Sequence, residues 1–177
     1  MLPSDLTEWQ AQKRQLSRDA FGRKFPHPFL LRRAHSKRED EVAGGDFGEQ
    51  KLAFRTNVSD AGTTQDVPTG SVRMLGALVL PIVKKPTNPY PERISVGRAL
   101  NCDVVIRDGS VSKLHGHFTP VSAHEAELVD RASQNGTRVN GLPLKPEIAK
   151  RVGNGDTIIF GAIAVQFLDA KKLWDLL

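Results

Sequence analysis

The sequence has 177 residues, enough for one domain with extensions or for two small domains. Its 25 basic and 20 acidic residues are interleaved, so the net charge of +5 comes without the long Lys/Arg block typical of nucleic-acid binding. No apolar run approaches the roughly 18 residues that span a bilayer, and the first residues lack the pattern of a secretory signal. The single cysteine, Cys102, excludes an intramolecular disulfide and a cysteine cage for zinc. We therefore expect a cytoplasmic protein that binds neither nucleic acid nor membrane and needs no cofactor.

Residues 1–32 are expected to form a helical segment. A thin apolar stripe at helical spacing predicts a helix over residues 4–20, with its members at Leu6, Trp9, Leu16 and Ala20. The next stretch, residues 25–31, is apolar but interrupted by two prolines, and we expect it to pack on the downstream domain or on a partner. Residues 33–74 lack periodicity and are rich in small, polar and charged side chains, which predicts a disordered linker.

Short β-strands are predicted from Leu75 onward. Short apolar or alternating runs occur at 76–83, 94–96, 103–106, 127–130, 156–160 and 163–167. Gly161 and Ala162 separate the last two runs, which indicates a hairpin. Many short strands with turn signals at close intervals predict a mostly β fold, with a β-sandwich over residues 75–170. Residues 171–177 are predicted to add a closing helical turn.

Three loop motifs carry side chains that suit a phosphorylated peptide. Arg98 offers a planar guanidinium fork, and Ser112 offers a hydroxyl donor. Lys113 adds a point charge beside that hydroxyl, and Asn135 offers an amide that can bond a peptide backbone. A phosphorylated threonine carries about −1.5 to −2 charges and three strong acceptor oxygens. The three motifs together therefore have the inventory of a phosphopeptide reader.

From Leu75 to about Leu168 the sequence resembles the forkhead-associated (FHA) domain. The matching motifs occur in family order, at 95–98, 103–106, 110–115, 128–130, 133–137, 139–141 and 155–161. The resemblance implies a sandwich of about eleven strands that binds phosphothreonine peptides through loops at one end. It also implies that Asn135 bonds the peptide backbone, with Gln134 and Ser110 as secondary contacts.

Four further residues are expected to support this site, namely Gly97, His115, Gly136 and Asn140. Gly97 lets the chain turn tightly before the arginine, and Asn135-Gly136 is a strong turn dipeptide. The resemblance implies that His115 buttresses the loop that presents Ser112.

Enzymatic and metal-binding interpretations of the same residues have less support. His115 lies three residues after Ser112, as a Ser–His hydrolase would allow, but no Gly-x-Ser-x-Gly elbow and no orienting acid accompany the pair. His115 and His117 are a potential metal pair that lacks a third ligand at suitable spacing. The glycine-rich stretch at 153–156 lacks the Gly-Lys-Ser/Thr ending of a nucleotide-phosphate loop. We expect neither a catalytic site nor a metal site, and we expect Cys102 to be a small packed residue.

These motifs predict a phosphothreonine-dependent adaptor in Ser/Thr kinase signalling, of bacterial type. Its expected partners are phosphothreonine-containing proteins, such as a kinase or its substrate. The alternative is a phosphate-independent interaction module that uses the FHA fold and the N-terminal segment as a scaffold. Within the predicted linker, Thr64 and Thr63 are potential phosphorylation sites, because Val67 lies three residues after Thr64 as in a target peptide. Ordinary linker threonines are the alternative there.

Overall fold

The structure, a computed structural model, describes residues 2–3, 5–33 and 77–177. Its helices are α1 (Leu6–Gln15), α2 (Arg18–Lys24) and α3 (Ala170–Leu176). Its strands are β1 (Phe29–Arg32), β2 (Leu78–Pro81), β3 (Ile94–Gly97), β4 (Val104–Val105), β5 (Gly116–Pro120), β6 (Glu125–Asp130), β7 (Thr137–Val139), β8 (Leu142–Pro143), β9 (Lys150–Gly153), β10 (Thr157–Phe160) and β11 (Ile163–Leu168). None of the helices described is long and apolar enough to cross a membrane.

The eleven strands form two sheets, which confirms the predicted β-sandwich. One sheet has six strands in the order β2-β1-β11-β10-β7-β8, and the other has five in the order β4-β3-β5-β6-β9. The expected hairpin joins β10 and β11, which pair antiparallel with Phe160 opposite Ile163. Strand β4 runs parallel to β3, and the other recorded pairings are antiparallel.

The main core lies between the two sheets. Strand β6 shows the pattern that builds it: Ala126 and Leu128 are fully buried, while the residues between them are partly exposed. This alternation follows from the two-residue period of a strand, which sends every second side chain to the same face. Phe118, Phe160 and Phe167 meet at the centre, with ring centroids 6.3 Å apart in two of the pairs.

A second apolar cluster lies on the outer face of the six-stranded sheet. It contains Trp9, Phe21, Phe25, Phe29, Leu31, Val79, Leu168, Ala170 and Leu173. Trp9 is fully buried, and its ring centroid lies 5.0 Å from that of Phe25 and 5.2 Å from that of Phe29. Aromatic packing of this kind adds to the free energy of area burial. The three helices therefore cover this part of the sheet. Their apolar side chains pack there against apolar side chains of the strands.

The helical region differs from the single helix expected over residues 4–20. Asp5 caps α1 by accepting a hydrogen bond from the Glu8 N–H at 2.9 Å. Leu16 is extended, and the Ser17 hydroxyl accepts a bond from the Ala20 N–H to begin α2. Serine is a strong N-cap, which explains why the apolar stripe continues over two helices instead of one.

The expected boundary at residue 32 also differs from the structure, because residues 29–32 are a strand of the main sheet. Strand β1 lies between β2 and β11, with Phe29 opposite both Pro81 and Leu168. Its first three residues are all buried, as expected of a strand covered on both faces. The chain from 33 to 77 thus connects two neighbouring strands of one sheet. All of the predicted linker except residue 33 lies outside the described residues.

Candidate functional site

Three loops meet at one end of the sandwich, and they carry the residues singled out in the sequence. Arg98 follows β3, Ser112 lies in the β4–β5 loop, and Asn135 lies in the β6–β7 loop. The Arg98 N–H donates to the Ser112 carbonyl at 3.0 Å, which joins the first two loops. The Gln134 N–H donates to the Ser112 hydroxyl at 3.1 Å, which joins the second and third. The structure therefore brings the predicted phosphate and backbone contacts to a single surface.

Gly97 is required by the close approach of the first two loops. A Cβ atom at this position would lie 2.3 Å from the Lys113 carbonyl oxygen and 3.0 Å from that of Ser112. The sequence suggested a tight turn, but Gly97 is the last residue of β3 and needs no left-handed conformation. The missing side chain instead lets the backbone of the β4–β5 loop pack directly on β3. Gly136, by contrast, has a φ of 70°, as its turn dipeptide predicts.

His115 connects two of the loops from inside the domain. Its side chain is fully buried, and its Nδ1 accepts a hydrogen bond from the Ser112 N–H at 3.1 Å. Its Nε2 lies 3.2 Å from the Gly136 carbonyl oxygen, so this nitrogen is the protonated one of a neutral ring. Burial lowers the pKa of His115 below its ordinary value, although the nearby Asp130 carboxylate opposes this shift. The neutral ring therefore holds the Ser112 backbone and the Gly136 turn together.

The hydrogen bonds of His115 and Ser112 differ from those expected of a serine hydrolase. In a serine hydrolase the histidine accepts a proton from the serine hydroxyl. Here His115 bonds the Ser112 backbone, and the hydroxyl accepts its bond from Gln134. His115 also faces Phe160, at 5.4 Å between ring centroids. Burial lowers the pKa of His117, and the charges of Arg93 and Arg131 lower it further. Among the residues described, no group of three or more His, Cys, Asp or Glu is arranged to hold a metal ion.

Asp130 is the anchor of the β6–β7 loop, and the sequence analysis did not single it out. It is 1% exposed and accepts hydrogen bonds from the Ser133 N–H at 2.8 Å, the Ser133 hydroxyl at 2.7 Å and the Thr137 hydroxyl. The loop that presents Asn135 is thus held at both ends by one carboxylate. The signal available in the sequence was an aspartate at the end of a predicted strand, followed by Ser and Thr hydroxyls.

A second network holds the loop that follows Arg98. The Lys85 ammonium donates to the carbonyls of Cys102 and Leu100, the latter at 3.1 Å. Asp103 accepts bonds from the Lys85 N–H at 2.7 Å and from the N–H and hydroxyl of Ser95 at 2.6 and 2.7 Å. Burial alone would raise the pKa of Asp103, but these hydrogen bonds lower it below its ordinary value. Cys102 is buried, as expected, and burial raises the pKa of its thiol.

The polar groups of the site differ in how many hydrogen-bond donors and acceptors remain available to a ligand. The Ser112 oxygen accepts one bond, so its hydroxyl proton is available to a ligand. Asn135 is exposed and donates one bond, to the Ser110 carbonyl at 2.8 Å, which leaves a second amide proton and the side-chain oxygen. The Ser110 hydroxyl is already used, because it donates to Asp108 at 2.6 Å and accepts from the Ala162 N–H at 3.0 Å. This serine holds the β10–β11 turn against the β4–β5 loop.

The positive charges of the site are exposed, and among the described residues they have no carboxylate partner. Arg98 and Lys113 are both exposed, and neither makes an ion pair within the described part of the chain. The carboxylate of Asp108 lies in the same loop end, and its hydrogen bonds from Ser110 lower its pKa. Gln134 is exposed beside these groups. The loop end therefore presents a cationic surface with hydroxyl and amide donors.

Asn140, expected to support the site, lies at the other end of β7. Its side chain donates to Asp156 at 2.8 Å and accepts from the Thr157 N–H at 2.9 Å. Its φ of 51° places it in the left-handed region, where asparagine is tolerated. It holds the β7–β8 turn, and its hydrogen bonds to the described residues go to Asp156 and Thr157 instead of the three loops.

Comparison with known proteins shows what part of the chain is similar to. Residues 94–161 match the family model of the FHA domain. No match is found among the curated proteins.

Solved FHA domains resemble the structure. One is the FHA domain of an Arabidopsis thaliana hypothetical protein, with a TM-score of 0.42, 28% identity, and coverage of 56% of this chain and 78% of that chain. A second is the FhaA FHA domain complexed with the intracellular domain of Rv3910, with a TM-score of 0.39, 25% identity, and coverage of 45% and 84%. A third is the N-terminal FHA domain of Saccharomyces cerevisiae Rad53p in complex with a phosphothreonine peptide, with a TM-score of 0.40, 21% identity, and coverage of 49% and 74%.

The matched region begins at β3, ends at the β10–β11 turn, and includes all three loops of the candidate site. By this match and by the motifs within it, residues 94–161 are similar to the FHA domain.

Proposed function

We propose that the three loops bind phosphothreonine peptides and that the protein is a non-enzymatic adaptor. One observation carries this proposal. The Arg98 guanidinium, the Ser112 hydroxyl and the Lys113 ammonium lie on loops joined by hydrogen bonds, and no carboxylate neutralises the two cations within the described residues. Such a group complements a dianion with three acceptor oxygens.

Each residue has a separate part in the proposed binding. Arg98 donates in a fork to two phosphate oxygens, and Ser112 donates its free hydroxyl proton to the third. Lys113 contributes a point charge, and Asn135 bonds the peptide backbone beside the phosphothreonine. Charge-assisted hydrogen bonds contribute roughly 1.5–3 kcal/mol each. Two or three of them, less the cost of ordering a peptide, give an affinity on the order of micromolar.

The biological role that follows is an adaptor in Ser/Thr kinase signalling. Its partners would be phosphothreonine-containing proteins, either a kinase or a kinase substrate. We infer this from the chemistry of the site, since a phosphothreonine in a protein is the product of such a kinase.

The alternative, a phosphate-independent scaffold, depends on a free N-terminal segment. The apolar side chains of that segment are already used within the domain, because Phe25, Phe29 and Leu31 are buried against the sheet and the helices. They leave little apolar surface for a partner. The arrangement favours the phosphate-dependent function.

Fluorescence anisotropy with a degenerate phosphothreonine peptide pool tests the proposal. The full chain is the right reagent, because β1 lies upstream of the loop region and is a central strand of the sheet. We expect micromolar binding to the phosphorylated pool, none to the unphosphorylated pool, and none by Arg98→Ala. Arg23→Ala is the control. Arg23 is exposed on α2, so this substitution removes the same charge from another part of the domain. Micromolar binding retained by Arg98→Ala would refute the assigned site.

A milder effect is expected for Lys113→Ala. This variant should bind several-fold more weakly and with a flatter dependence on salt, because a lost exposed charge mainly removes a screened interaction. Loss as complete as that of Arg98→Ala would show that Lys113 also makes a direct and indispensable bond.

Thr64 and Thr63 lie outside the described residues. The connection that carries them runs from the end of β1 to the start of β2. Both of these strand ends lie at the end of the sandwich that carries the three loops. Arg32 pairs with Leu78, and the antiparallel register of Leu31 with Gln166 directs this end of β1 toward the start of β11, beside the β10–β11 turn. We propose that a Ser/Thr kinase phosphorylates Thr64 or Thr63.

A further inference from the structure

A groove of about 640 Å³ lies between α2, α3 and the turn that joins β5 to β6. That turn follows the carboxyl end of β5, whereas the loop with Ser112 precedes its amino end. Strand β11 likewise runs from the β10–β11 turn to α3, and its six residues span about 17 Å. The groove is therefore at the end of the sandwich opposite to the three loops, and it does not belong to the proposed phosphate-binding surface.

The floor of the groove is apolar. It is formed by Phe25 and Ala170, which are 4% and 6% exposed, with Pro26 and Ala123 beside them. The Phe25 ring packs on Trp9, with ring centroids 5.0 Å apart, so the core holds this ring in place. Concave sites with an apolar lining of this kind are typical of ligand binding. Because the floor is fixed by the core, a ligand that covers it loses little affinity to the ordering of the protein.

The groove is a property of the folded domain and not of a free N-terminal segment. Most apolar side chains of residues 5–33 are covered within the domain, and alone they offer little surface to a partner. At the groove, Phe25 and Pro26 are joined by Ala123 from the sheet and by Ala170 from α3. These four side chains together form an apolar surface that a partner can reach.

Gly22 keeps the groove open between the two helices. It lies within α2, where glycine destabilises a helix relative to alanine. A Cβ atom at this position would lie 3.4 Å from the Cγ atom of Lys171, which is ordinary van der Waals contact. A methyl group therefore fits, but a longer side chain would enter the space between α2 and α3. Gly22 is the position at which a substitution can fill the groove.

The rim of the groove has an excess of positive charge. Its cations are Arg23 and Lys171, and its carboxylate is Asp19. The Lys171 ammonium lies 2.7 Å from that carboxylate, while Arg23 is exposed and makes no ion pair within the described residues. His124, also on the rim, has its Nδ1 at 2.9 Å from the Asp169 carboxylate. A carboxylate on a ligand therefore finds an unpaired guanidinium at Arg23.

We propose that the groove binds an unphosphorylated segment of a partner protein that carries an apolar side chain near a carboxylate. The apolar side chain covers the floor, and the carboxylate bonds Arg23. The groove is open, since Asp19, Pro26 and His124 are exposed, whereas a site for a small molecule buries most of its ligand. A chain segment can leave an open groove at both ends. An anionic membrane surface is matched less well, because Asp19 is exposed on the same rim.

Two sites at opposite ends of the sandwich let the protein hold two partners at once. The proposed phosphothreonine peptide lies at the three loops, and the acidic segment lies about 17 Å or more away. Neither occupant covers residues that the other uses. An adaptor needs two attachment surfaces, and the groove supplies the second without depending on the phosphate contacts.

Peptide titrations of the full-length protein, followed by nuclear magnetic resonance, test the inference. The probes are unphosphorylated serine-glycine peptides of about ten residues that contain leucine or phenylalanine one to four positions from aspartate or glutamate. We expect saturable binding with a dissociation constant on the order of 100 μM. The amide signals of Gly22, Ala123 and Ala170 should shift, and those of Ser112 and Asn135 should not. Lysine in place of the acidic residue, or serine in place of the apolar one, should weaken binding about fivefold or more.

Substitutions on α2 separate the groove from the rest of the domain. Gly22→Leu fills the groove and should weaken binding about tenfold or more. Arg23→Ala removes the guanidinium and should weaken binding of the acidic peptides about 2- to 5-fold. Arg14→Ala is the matched control, because it removes the same charge from an exposed position on α1 that does not line the groove. This control and Arg98→Ala should bind the acidic peptides as the unchanged protein does.

The outcomes separate the groove from the proposed function. If the acidic peptides bind with these shifts and losses, the groove is a second site whether or not the three loops bind phosphate. The assignment is overturned if no peptide binds saturably, if lysine peptides bind equally well, or if Gly22→Leu binds as the unchanged protein does. Loss of binding by Arg98→Ala would also overturn it, because the peptides would then lie at the three loops. Should Gly22→Leu lower the thermal unfolding midpoint by more than about 5 °C, Arg23→Ala and the shifted amide signals decide in its place.

Discussion

Replacing Gly97 with alanine should damage both the fold and the site, because no space exists for the added methyl group. The Cβ atom would lie 2.3 Å from the Lys113 carbonyl oxygen and 2.9 Å from the carbonyl carbon. Both contacts are with backbone, so no side-chain rotation relieves them. The β4–β5 loop must move away from β3 by about 1 Å to restore ordinary van der Waals contact.

The cost follows from what that movement breaks. Overpacking of this kind typically costs about 1–3 kcal/mol. The hydrogen bonds from Arg98 to Ser112 and from Ala99 to Lys113, at 3.0 and 3.2 Å, are stretched by the same displacement and contribute about 1 kcal/mol each. We expect a loss of about 2–4 kcal/mol in the free energy of unfolding, or roughly 8–16 °C in the melting temperature of a domain this size. Peptide binding should fall more than tenfold, because Arg98 and Ser112 no longer share one geometry.

Differential scanning calorimetry and anisotropy measure the two effects. Gly109→Ala is the matched control, since it lies in the same β4–β5 loop, has no heavy atom within 4 Å of its Cβ position and has no positive φ. That variant should unfold within about 2 °C of the unchanged protein or slightly above it. A Gly97→Ala protein with an unchanged melting temperature and unchanged peptide affinity would show that the close approach is not a requirement of the fold.

Three further predictions concern other parts of the chain. Burial lowers the pKa of His115, so between its folded and unfolded values the unfolded chain binds more protons. Stability should be full above about pH 6.5 and decline as the pH falls below it, and a melting temperature constant from pH 7.5 to 5 would contradict this. Trp9→Ala should lose about 3–5 kcal/mol of stability in urea unfolding, because Trp9 is fully buried, whereas Arg14→Ala on the exposed side of α1 should change stability by less than about 0.5 kcal/mol. Mass spectrometry after co-expression with a Ser/Thr kinase should find phosphate on Thr64 or Thr63, and unmodified threonines would end that idea.

The sequence was sufficient to predict those features of the fold that depend on interactions between residues close in the chain. The short strand at 127–130 and the Gly161 turn of the β10–β11 hairpin are properties of short stretches, and both are found as predicted. Arg98, Ser112 and Asn135 were located by motifs whose spacing is fixed by short loops. The chemistry of these side chains does not depend on knowing their exact neighbours.

What the sequence did not reveal depends on partners far away in the chain. Strand β1 has only four residues, and its neighbours β2 and β11 lie across the 33–77 connection and at the end of the domain. The anchoring of loops by Asp130 and Lys85 is equally non-local, because hydrogen-bond partners are chosen by the folded geometry. Gly97 is a further non-local case. The sequence indicated that a glycine is needed there, but the backbone that it accommodates belongs to another loop.

The separation of β1 from its neighbours has a consequence for how the domain forms. Closing a connection of about 45 residues costs about 3 kcal/mol more in chain entropy than closing a two-residue hairpin turn. The pairing of β1 with β2 is therefore a late event in folding, and until it happens β2 and β11 both present unpaired backbone edges. At high concentration, β1 from a second molecule can fill the same place, because the long connection lets a strand reach across to a neighbour. Strand exchange, with each copy completing the other's six-stranded sheet, is the form in which this protein should misassemble.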